Sequence, residues 1–467
     1  MTLDARTACA QWLARWTTIS DPPRMPSGDA DFWKQIPPTE RGAAMDMLSG
    51  IMRRRLTLDT VIGSVSRRGP DQIDPVVRSI LWVGAFQLLF SDHVADYAAV
   101  DSSVRLAAKL NQNRAGGFIN AILRSIQRLE PTISTSAGPS PRSCPIDRQR
   151  WIRFNRDIFP SVTQRPGAYW SAAASLPIDL VKEVIKTFDA QSAVHFFIDA
   201  NIRPPVTCRL DRPEIMQQSS RVKAHARSGW ALIDGGINGE IAEAIERGDI
   251  SPQDPTAGLA ADAIIRAFRD VIGMKDHPIP EILDLCAGRG TKTVQLAMKG
   301  LRVAASDIAA DKLEMLRRRE STLRTCRIQI LPAPPAAGDE RRFAAVLVDV
   351  PCSNTGVLAR RPEVRWRILR LDMRALIDTQ LSLLARGAEP AERLLVYSTC
   401  SVLPIENRHL IDSFLSGPDG RDWYLDQEAE TLPSTEPHSW HDGGYFAMLR
   451  RRSSADGRTH ENSRPQP

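Results

Sequence analysis

The stretch that decides the fold is Ile282-Leu-Asp-Leu-Cys-Ala-Gly-Arg-Gly-Thr-Lys292, an apolar run that opens into a loop with two glycines. Gly288 and Gly290 allow the backbone to turn tightly and to approach a ligand closely. Residues 291–299 have a helical pattern, and the first turn of such a helix carries N–H groups that have no partner within the helix. An apolar strand, a glycine loop and a helix in this order predict the start of a βαβ unit.

The alternation of strand and helix continues through the second half of the chain. Further strand-like runs lie at residues 302–306, 326–331, 344–350 and 394–399, and helical stretches separate several of them. This pattern predicts an α/β domain at residues 239–452, with a parallel sheet covered by helices on both faces. In such sheets, ligands bind outside the carboxyl ends of the strands.

Two of the predicted strands end in a cysteine. The runs are Val348-Asp-Val-Pro-Cys352 and Tyr397-Ser-Thr-Cys-Ser401, and the first places Asp349 three residues before its thiol. A lone cysteine at a strand end is usually a small buried hydrophobe. That interpretation applies to Cys9, Cys144, Cys208 and Cys326. Cys352 and Cys400 differ, because two thiols at one edge of a sheet can divide nucleophilic attack and elimination between them.

Composition limits the class of protein. The chain has 467 residues, which is too long for one compact core and predicts two or three domains. Its net charge of +6 permits an anionic partner without requiring one. The seven cysteines have no spacing typical of a metal site, and the N-terminus has no signal-peptide pattern. We expect a cytoplasmic protein without a metal ion, and a monomer.

The sequence predicts five segments. Residues 1–130 have helical spacing throughout and predict a helical bundle. Residues 131–150 are rich in Ser, Pro and Gly and predict a linker. Residues 151–238 have mixed signals and predict a small α+β domain. The α/β domain follows at 239–452, and residues 453–467 are polar enough to predict a disordered tail.

Four motifs together resemble a known family. They read Leu283-Asp-Leu-Cys-Ala-Gly-Arg-Gly-Thr-Lys-Thr293, Asp349-Val-Pro-Cys-Ser-Asn-Thr-Gly-Val357, Arg361-Pro-Glu-Val-Arg-Trp366 and Tyr397-Ser-Thr-Cys-Ser-Val-Leu-Pro-Ile-Glu-Asn407. The chain resembles the Nol/Nop/Sun family of RNA 5-methylcytosine methyltransferases, in particular its bacterial small-subunit ribosomal RNA members. The helical front resembles a NusB-type RNA-binding domain through Asp96-Tyr-Ala-Ala-Val100 and Gly117-Phe-Ile-Asn-Ala-Ile-Leu-Arg124.

The resemblance implies a Rossmann-like domain that uses S-adenosylmethionine to methylate C5 of cytosine in ribosomal RNA. It implies that Cys400 attacks C6 of the base, that Cys352 assists release, and that Asp349 holds or protonates the base near N3. The target cytosine must then be unpaired or flipped out. The residues that would bind the cofactor are Cys286, Ala287, Gly288, Arg289, Gly290, Thr291, Lys292, Asp307 and Asp349.

The chain departs from the family pattern around the cofactor. Arg289 and Thr291 stand where the family usually has proline and glycine, and Thr291 fits if its backbone φ is negative. Residues 329–339 carry no acid at the place that would contact the adenine amino group, a loss worth about 1 kcal/mol. An alternative is therefore a non-catalytic RNA-binding or ribosome-assembly protein with the same fold. A thiol-dependent hydrolase is a third alternative, but it needs a histidine partner for the thiol. His409 lies in a predicted helix beyond Cys400, and the other histidines are scattered along the chain.

Basic residues indicate where RNA would bind. The candidates in the arginine-rich run after Cys352 are Arg360, Arg361, Arg365 and Arg367. The candidates in the helical front are Arg105, Lys109, Arg114 and Arg124. For each of these residues taken singly, ordinary surface charge is the alternative to a phosphate contact.

Overall fold

The computed structural model describes residues 3–16, 20–22, 25, 31–92, 94–215, 219–272, 278–323, 327–336 and 338–452. The chain divides into two compact units. The first unit comprises Met1–Arg203 and Leu358–Leu371, and the second comprises Pro204–Val357 and Asp372–Pro467. The predicted disordered tail and Cys326 lie outside the described residues. Among the described helices, none combines the length and the apolarity that a membrane span requires.

The first unit is mainly helical, as the sequence predicts. Its helices are α1 (Ala5–Ala14), α2 (Asp31–Lys34), α3 (Arg41–Val65), α4 (Pro75–Phe90), α5 (Asp96–Lys109), α6 (Gly116–Gln127), α7 (Pro166–Ala173), α8 (Ile178–Thr187) and α9 (Ala190–Asp199), together with a short helix at Val364–Arg367. Helix α4 is almost entirely buried. Asp74 caps its N-terminus by accepting hydrogen bonds from the N–H groups of Val76 and Val77, and Pro75 occupies the first helical position, where no N–H is needed.

Residues 131–150 are not a linker. They contribute two strands to a three-stranded antiparallel sheet of β1 (Thr132–Ser134), β2 (Ser143–Pro145) and β3 (Trp151–Arg153), in the order β1-β3-β2. Cys144 in β2 is fully buried, and Arg54 donates hydrogen bonds to the carbonyl oxygens of Pro145 and Ile146. The Ser, Pro and Gly residues that suggested a linker form the turns between these short strands.

The small α+β domain predicted at 151–238 is divided between the two units. Helices α7 to α9 belong to the first unit, where Thr57 of α3 donates a hydrogen bond to the carbonyl oxygen of Ala172. The following strands belong to the second unit. The mixed signals therefore come from two different structures that lie next to each other in sequence.

The second unit contains two sheets. The smaller is antiparallel, with the order β5-β6-β4-β7. Its elements are β4 (Val206–Leu210), β5 (Val222–Ala224), β6 (Trp230–Ile233), α10 (Glu240–Glu246) and β7 (Ile250–Pro252), and helix α11 (Leu259–Ala267) follows.

The larger sheet has seven strands in the order β10-β9-β8-β11-β12-β14-β13. Its elements are β8 (Glu281–Asp284), α12 (Thr291–Met298), β9 (Arg302–Ala305), α13 (Ala310–Leu323), β10 (Ile328–Ile330), β11 (Phe343–Asp349), α14 (Met373–Ala388), β12 (Ala391–Thr399), α15 (Arg408–Ser416), β13 (Trp423–Thr431) and β14 (Gly444–Arg451). The five predicted strands are present and parallel. The antiparallel pair β13 and β14 was not predicted.

The order of the strands brings the predicted site together. Strand β11 lies between β8 and β12, with Leu347 opposite Asp284 and Asp349 opposite Ser398. The carboxyl ends of these three strands therefore meet at one edge of the sheet. The predicted cofactor loop follows β8, Cys352 follows β11 and Cys400 follows β12.

Candidate active site

Cys352 and Cys400 lie side by side. Their sulfur atoms are 3.2 Å apart, and both cysteines are free thiols. The hydrogen bond to Cys400 and then burial raise the pKa of Cys352 well above its usual value. Cys352 therefore remains a thiol and can donate its proton to Cys400.

The two cysteines line a cavity of about 360 Å³ at the carboxyl ends of β11 and β12. This volume is within the range of small-molecule sites. Polar residues from five parts of the second unit line the cavity. They include Asp254, Thr256, Lys292, Asp349, Cys352, Asn354, Cys400 and Asp442.

An ion pair lies beside the cysteines. Lys292 Nζ is 2.6 Å from Asp349 Oδ2, and Ser398 Oγ donates a hydrogen bond of 2.9 Å to Asp349 Oδ1. Burial opposes the charge of Lys292, but the Asp349 carboxylate outweighs burial and raises the pKa of the lysine. Lys292 is nearly buried, whereas about a third of the Asp349 side chain is exposed. The carboxylate is thus held by its partners while one face remains open to a ligand.

Glu406 connects the loops that carry the two cysteines. Its carboxylate is fully buried and accepts hydrogen bonds from Ser353 N at 2.8 Å, Ser401 Oγ at 2.5 Å and Gln380 Nε2 at 2.9 Å. Ser353 and Ser401 each follow one of the cysteines directly in sequence. Glu406 thereby fixes both thiols through their neighbours. Glu406 lies within the motif at residues 397–407 but was not predicted as a site residue.

Both glycines of the predicted cofactor loop have a positive backbone φ, which favours glycine. Gly290 has φ of +76°, and a Cβ atom there would lie 2.2 Å from Leu316 Cδ1. Gly288 has φ of +57° and borders open space, so a ligand can approach its backbone. Thr291 is the first residue of helix α12, so the condition on its φ is met. The Arg289 side chain is exposed.

Asp307 holds this loop in place. Its Oδ2 accepts a hydrogen bond from Gly288 N at 2.8 Å, and its Oδ1 accepts one from Ala309 N at 2.8 Å. A carboxylate has further lone pairs that can accept from a ligand hydroxyl. Ala287 is buried, and burial raises the pKa of Cys286 to about 12, so that this thiol is unreactive.

A buried acid beneath the loop was not predicted as a site residue. Asp284 ends β8 and accepts a hydrogen bond of 2.7 Å from Thr293 Oγ1 in helix α12. Burial raises the pKa of Asp284 to about 7. Its place at the end of an apolar strand was visible in the sequence, but the depth of its burial depends on the packing of the whole sheet.

Arg365 is too deeply buried to contact RNA as predicted. It is fully buried in the first unit, although its neighbours in sequence are partly accessible: Arg361 is exposed, and Arg360 and Arg367 are half-buried. Its guanidinium donates hydrogen bonds to acceptors on four segments of that unit. They are the carbonyl oxygens of Arg53, Ser175, Ala200 and Leu358 and Oδ1 of Asn201. Buried arginine of this kind is structural.

We expect Arg365→Lys to lower the free energy of unfolding of the first unit by about 2–3 kcal/mol, because lysine cannot reach all these acceptors and leaves buried carbonyls unpaired. Urea unfolding followed by tryptophan fluorescence measures this, since Trp366 is buried beside Trp16. The matched control is Arg361→Lys, which should change stability by less than about 0.5 kcal/mol. Wild-type stability with weakened RNA binding in Arg365→Lys would contradict the structural role.

The candidates in the helical front stay predictions. Arg105 and Lys109 form exposed ion pairs with Asp101 and Asp4, at 2.8 Å and 2.7 Å. Arg114 is exposed, and so is Arg124, which donates a hydrogen bond to Gln127. All four are accessible, and exposed ion pairs of this kind are weak enough to be exchanged for a phosphate contact.

The strand order, the glycine loop after β8 and the acid after β9 define a Rossmann-like methyltransferase domain. Residues 271–441 match the model of the 16S rRNA methyltransferase RsmB/F family, and residues 3–128 match that of the NusB family. Residues 271–441 are therefore a domain of the RsmB/F methyltransferases, and residues 3–128 are a NusB-family domain. The methyl donor of these enzymes is S-adenosylmethionine.

Individual relatives agree with this assignment. The ribosomal RNA small subunit methyltransferase B of Pseudomonas putida is 27% identical over 449 residues, which are 88% of this chain and 90% of that protein. A Mycobacterium tuberculosis protein, Rv1407, provisionally named a methyltransferase, is 29% identical over 368 residues, or 77% and 75% of the two chains. The crystal structure of PH0851 has the same fold, with a TM-score of 0.67, 19% identity and coverage of 97% and 100%.

Proposed function

We propose that this protein transfers a methyl group from S-adenosylmethionine to C5 of a cytosine in small-subunit ribosomal RNA, through a covalent bond between Cys400 and C6 of the base. The observation that carries the proposal is the pair of sulfur atoms 3.2 Å apart, beside an ion-paired carboxylate and within one cavity. The name of the Pseudomonas putida relative supports small-subunit ribosomal RNA as the substrate.

Covalent attack is needed because C5 of cytosine is a poor nucleophile. The thiolate of Cys400 adds to C6, and the electron pair of the C5–C6 double bond moves to C5, which accepts the methyl group. A base then removes the proton from C5, the double bond re-forms, and the bond from Cys400 to C6 breaks. The Cys352 thiol, a proton donor next to the departing sulfur, assists this last step.

Asp349 activates the base in this proposal. A carboxyl group near N3 and the amino group of cytosine withdraws electrons from C6 by holding or donating a proton there. Lys292 holds the carboxylate through an ion pair of 2.6 Å. The exposed third of Asp349 is the part that would contact the base, which must be unpaired or flipped into the cavity.

The residues around the loop after β8 fit the methyl donor. The open backbone at Gly288 and the N–H groups at the start of helix α12 suit its amino-acid portion, and Asp307 has lone pairs for the ribose hydroxyls. Cys286, Ala287, Arg289, Gly290 and Thr291 form the rest of the loop. For the RNA, Arg360, Arg361 and Arg367 remain the proposed phosphate contacts after Cys352, without Arg365.

The test is methyl transfer from labelled S-adenosylmethionine to small-subunit ribosomal RNA that lacks the modification, followed by digestion and identification of the labelled nucleoside. Labelled 5-methylcytidine is the expected product. A different methylated nucleoside would contradict the position of transfer. No transfer, together with no cofactor binding, would favour the alternative of a non-catalytic ribosome-assembly protein, to which Arg289 in the loop points.

A further inference from the structure

Asn354 lies two residues after Cys352 and faces the other cysteine. Its backbone φ is +60°, a left-handed conformation that is uncommon for residues other than glycine and that asparagine adopts more readily than most. Its side-chain Oδ1 is 3.2 Å from Cys400 Sγ. The reaction described above gives this amide no role, although it touches the nucleophile.

The orientation of the amide is fixed by its other end. Asn354 Nδ2 donates a hydrogen bond of 2.6 Å to the carbonyl oxygen of Cys352, and the reversed amide would place two acceptors against each other. Oδ1 therefore faces Cys400. Because an amide oxygen only accepts hydrogen bonds, Cys400 directs its S–H to Asn354.

The three side chains consequently form a directed chain of hydrogen bonds. With the Cys400 proton turned to Asn354, the bond between the two sulfurs is donated by Cys352. The raised pKa of Cys352, caused by this bond and by burial, agrees with a thiol at that position. The chain runs from Cys352 through Cys400 to Asn354 Oδ1, and it depends on Cys400 being protonated.

We propose that Asn354 is a positioning residue that holds Cys400 as a thiol, with its S–H turned to the amide oxygen, until substrate binds. A hydrogen-bond acceptor at 3.2 Å stabilises the protonated sulfur and opposes the thiolate. The role of Cys400 as nucleophile rests on the proposed function. Asn354 thus keeps the nucleophile protonated in the free enzyme, where a thiolate would be open to oxidation and alkylation.

The test is the pH dependence of Cys400 alkylation by iodoacetamide in the full chain, followed by mass spectrometry of the Cys400 peptide. In this reaction the thiolate displaces iodide and forms a thioether. Asn354→Gly removes the amide and accommodates the positive φ. We expect the pH midpoint of its alkylation to move down by about half to one pH unit, which corresponds to the net contribution of one neutral hydrogen bond. Asn354→Asp places a carboxylate beside the sulfur and should move the midpoint up.

The matched control is Asn111→Gly, because Asn111 has the same backbone conformation, with φ of +58°, and is exposed in the first unit. Its midpoint for Cys400 should equal that of the wild type. Unchanged midpoints in both Asn354 variants would overturn the proposal, and so would a downward shift in Asn354→Asp. The measurement needs neither RNA nor cofactor, so its outcome is separate from that of the methyl-transfer assay.

Discussion

Cys400→Ala is expected to lower the rate of methyl transfer by about 10⁴-fold or more, which is the largest effect that we expect from any single substitution. In the proposed mechanism, there is no addition to C6 without the thiolate, and C5 does not become a nucleophile. The loop proposed to bind the cofactor lies after β8, on a different segment, so cofactor affinity should be unchanged. Steady-state methylation and a cofactor-binding titration on the same preparation measure the two quantities.

The matched control is Cys208→Ala, which removes a buried thiol from strand β4 of the same unit. This variant should retain transfer to within a few-fold. Transfer by Cys400→Ala at more than about a tenth of the wild-type rate would mean that another group is the nucleophile, and the proposed chemistry would be wrong.

Asp349→Asn should reduce kcat/KM by about 10²–10³-fold, the usual contribution of a group that holds or moves a proton. The amide keeps the size of the side chain but supplies no negative charge, so Lys292 loses its partner at 2.6 Å. The raised pKa of Lys292, which Asp349 maintains against burial, should fall in this variant. Methylation rates as a function of pH measure both consequences.

Ser398→Ala is the control for Asp349. It removes the hydrogen bond of 2.9 Å to the other oxygen of the carboxylate and leaves the charge and the lysine in place. We expect kcat/KM to fall by less than about tenfold, which corresponds to the net contribution of one hydrogen bond. Equal losses in the two variants would mean that the position of Asp349 matters and its charge does not.

Much of the site could be predicted because parallel strands obey a simple rule. Each of the strands β8, β11 and β12 has a clear apolar run, and the polar residues that follow these runs had to meet at one edge of the sheet. The positive φ values of Gly288 and Gly290 confirm the prediction that the backbone turns tightly in this loop. Local patterns were sufficient in these places.

The remaining features depend on contacts between residues far apart in sequence. Arg365 stands in a run of arginines typical of a nucleic-acid surface, yet it is buried among carbonyl groups contributed from residues 53, 175 and 200. Glu406 accepts from the backbone N–H of Ser353 and Asn354 contacts the thiol of Cys400, and each partner lies on the neighbouring loop. The division of residues 151–238 between the units has the same origin, because composition does not reveal which unit a short helix packs in.

The central claim is the covalent bond between Cys400 and the RNA, and Cys352→Ala tests it most directly. Cys400 keeps its contact with Asn354 in this variant, since Asn354 Nδ2 binds the backbone of Cys352 and not its thiol. After incubation with S-adenosylmethionine and ribosomal RNA, followed by nuclease and trypsin digestion, the peptide with Cys400 should carry a methylated cytidine nucleotide. Turnover by Cys352→Ala without any adduct, or an adduct on another residue, would contradict the account.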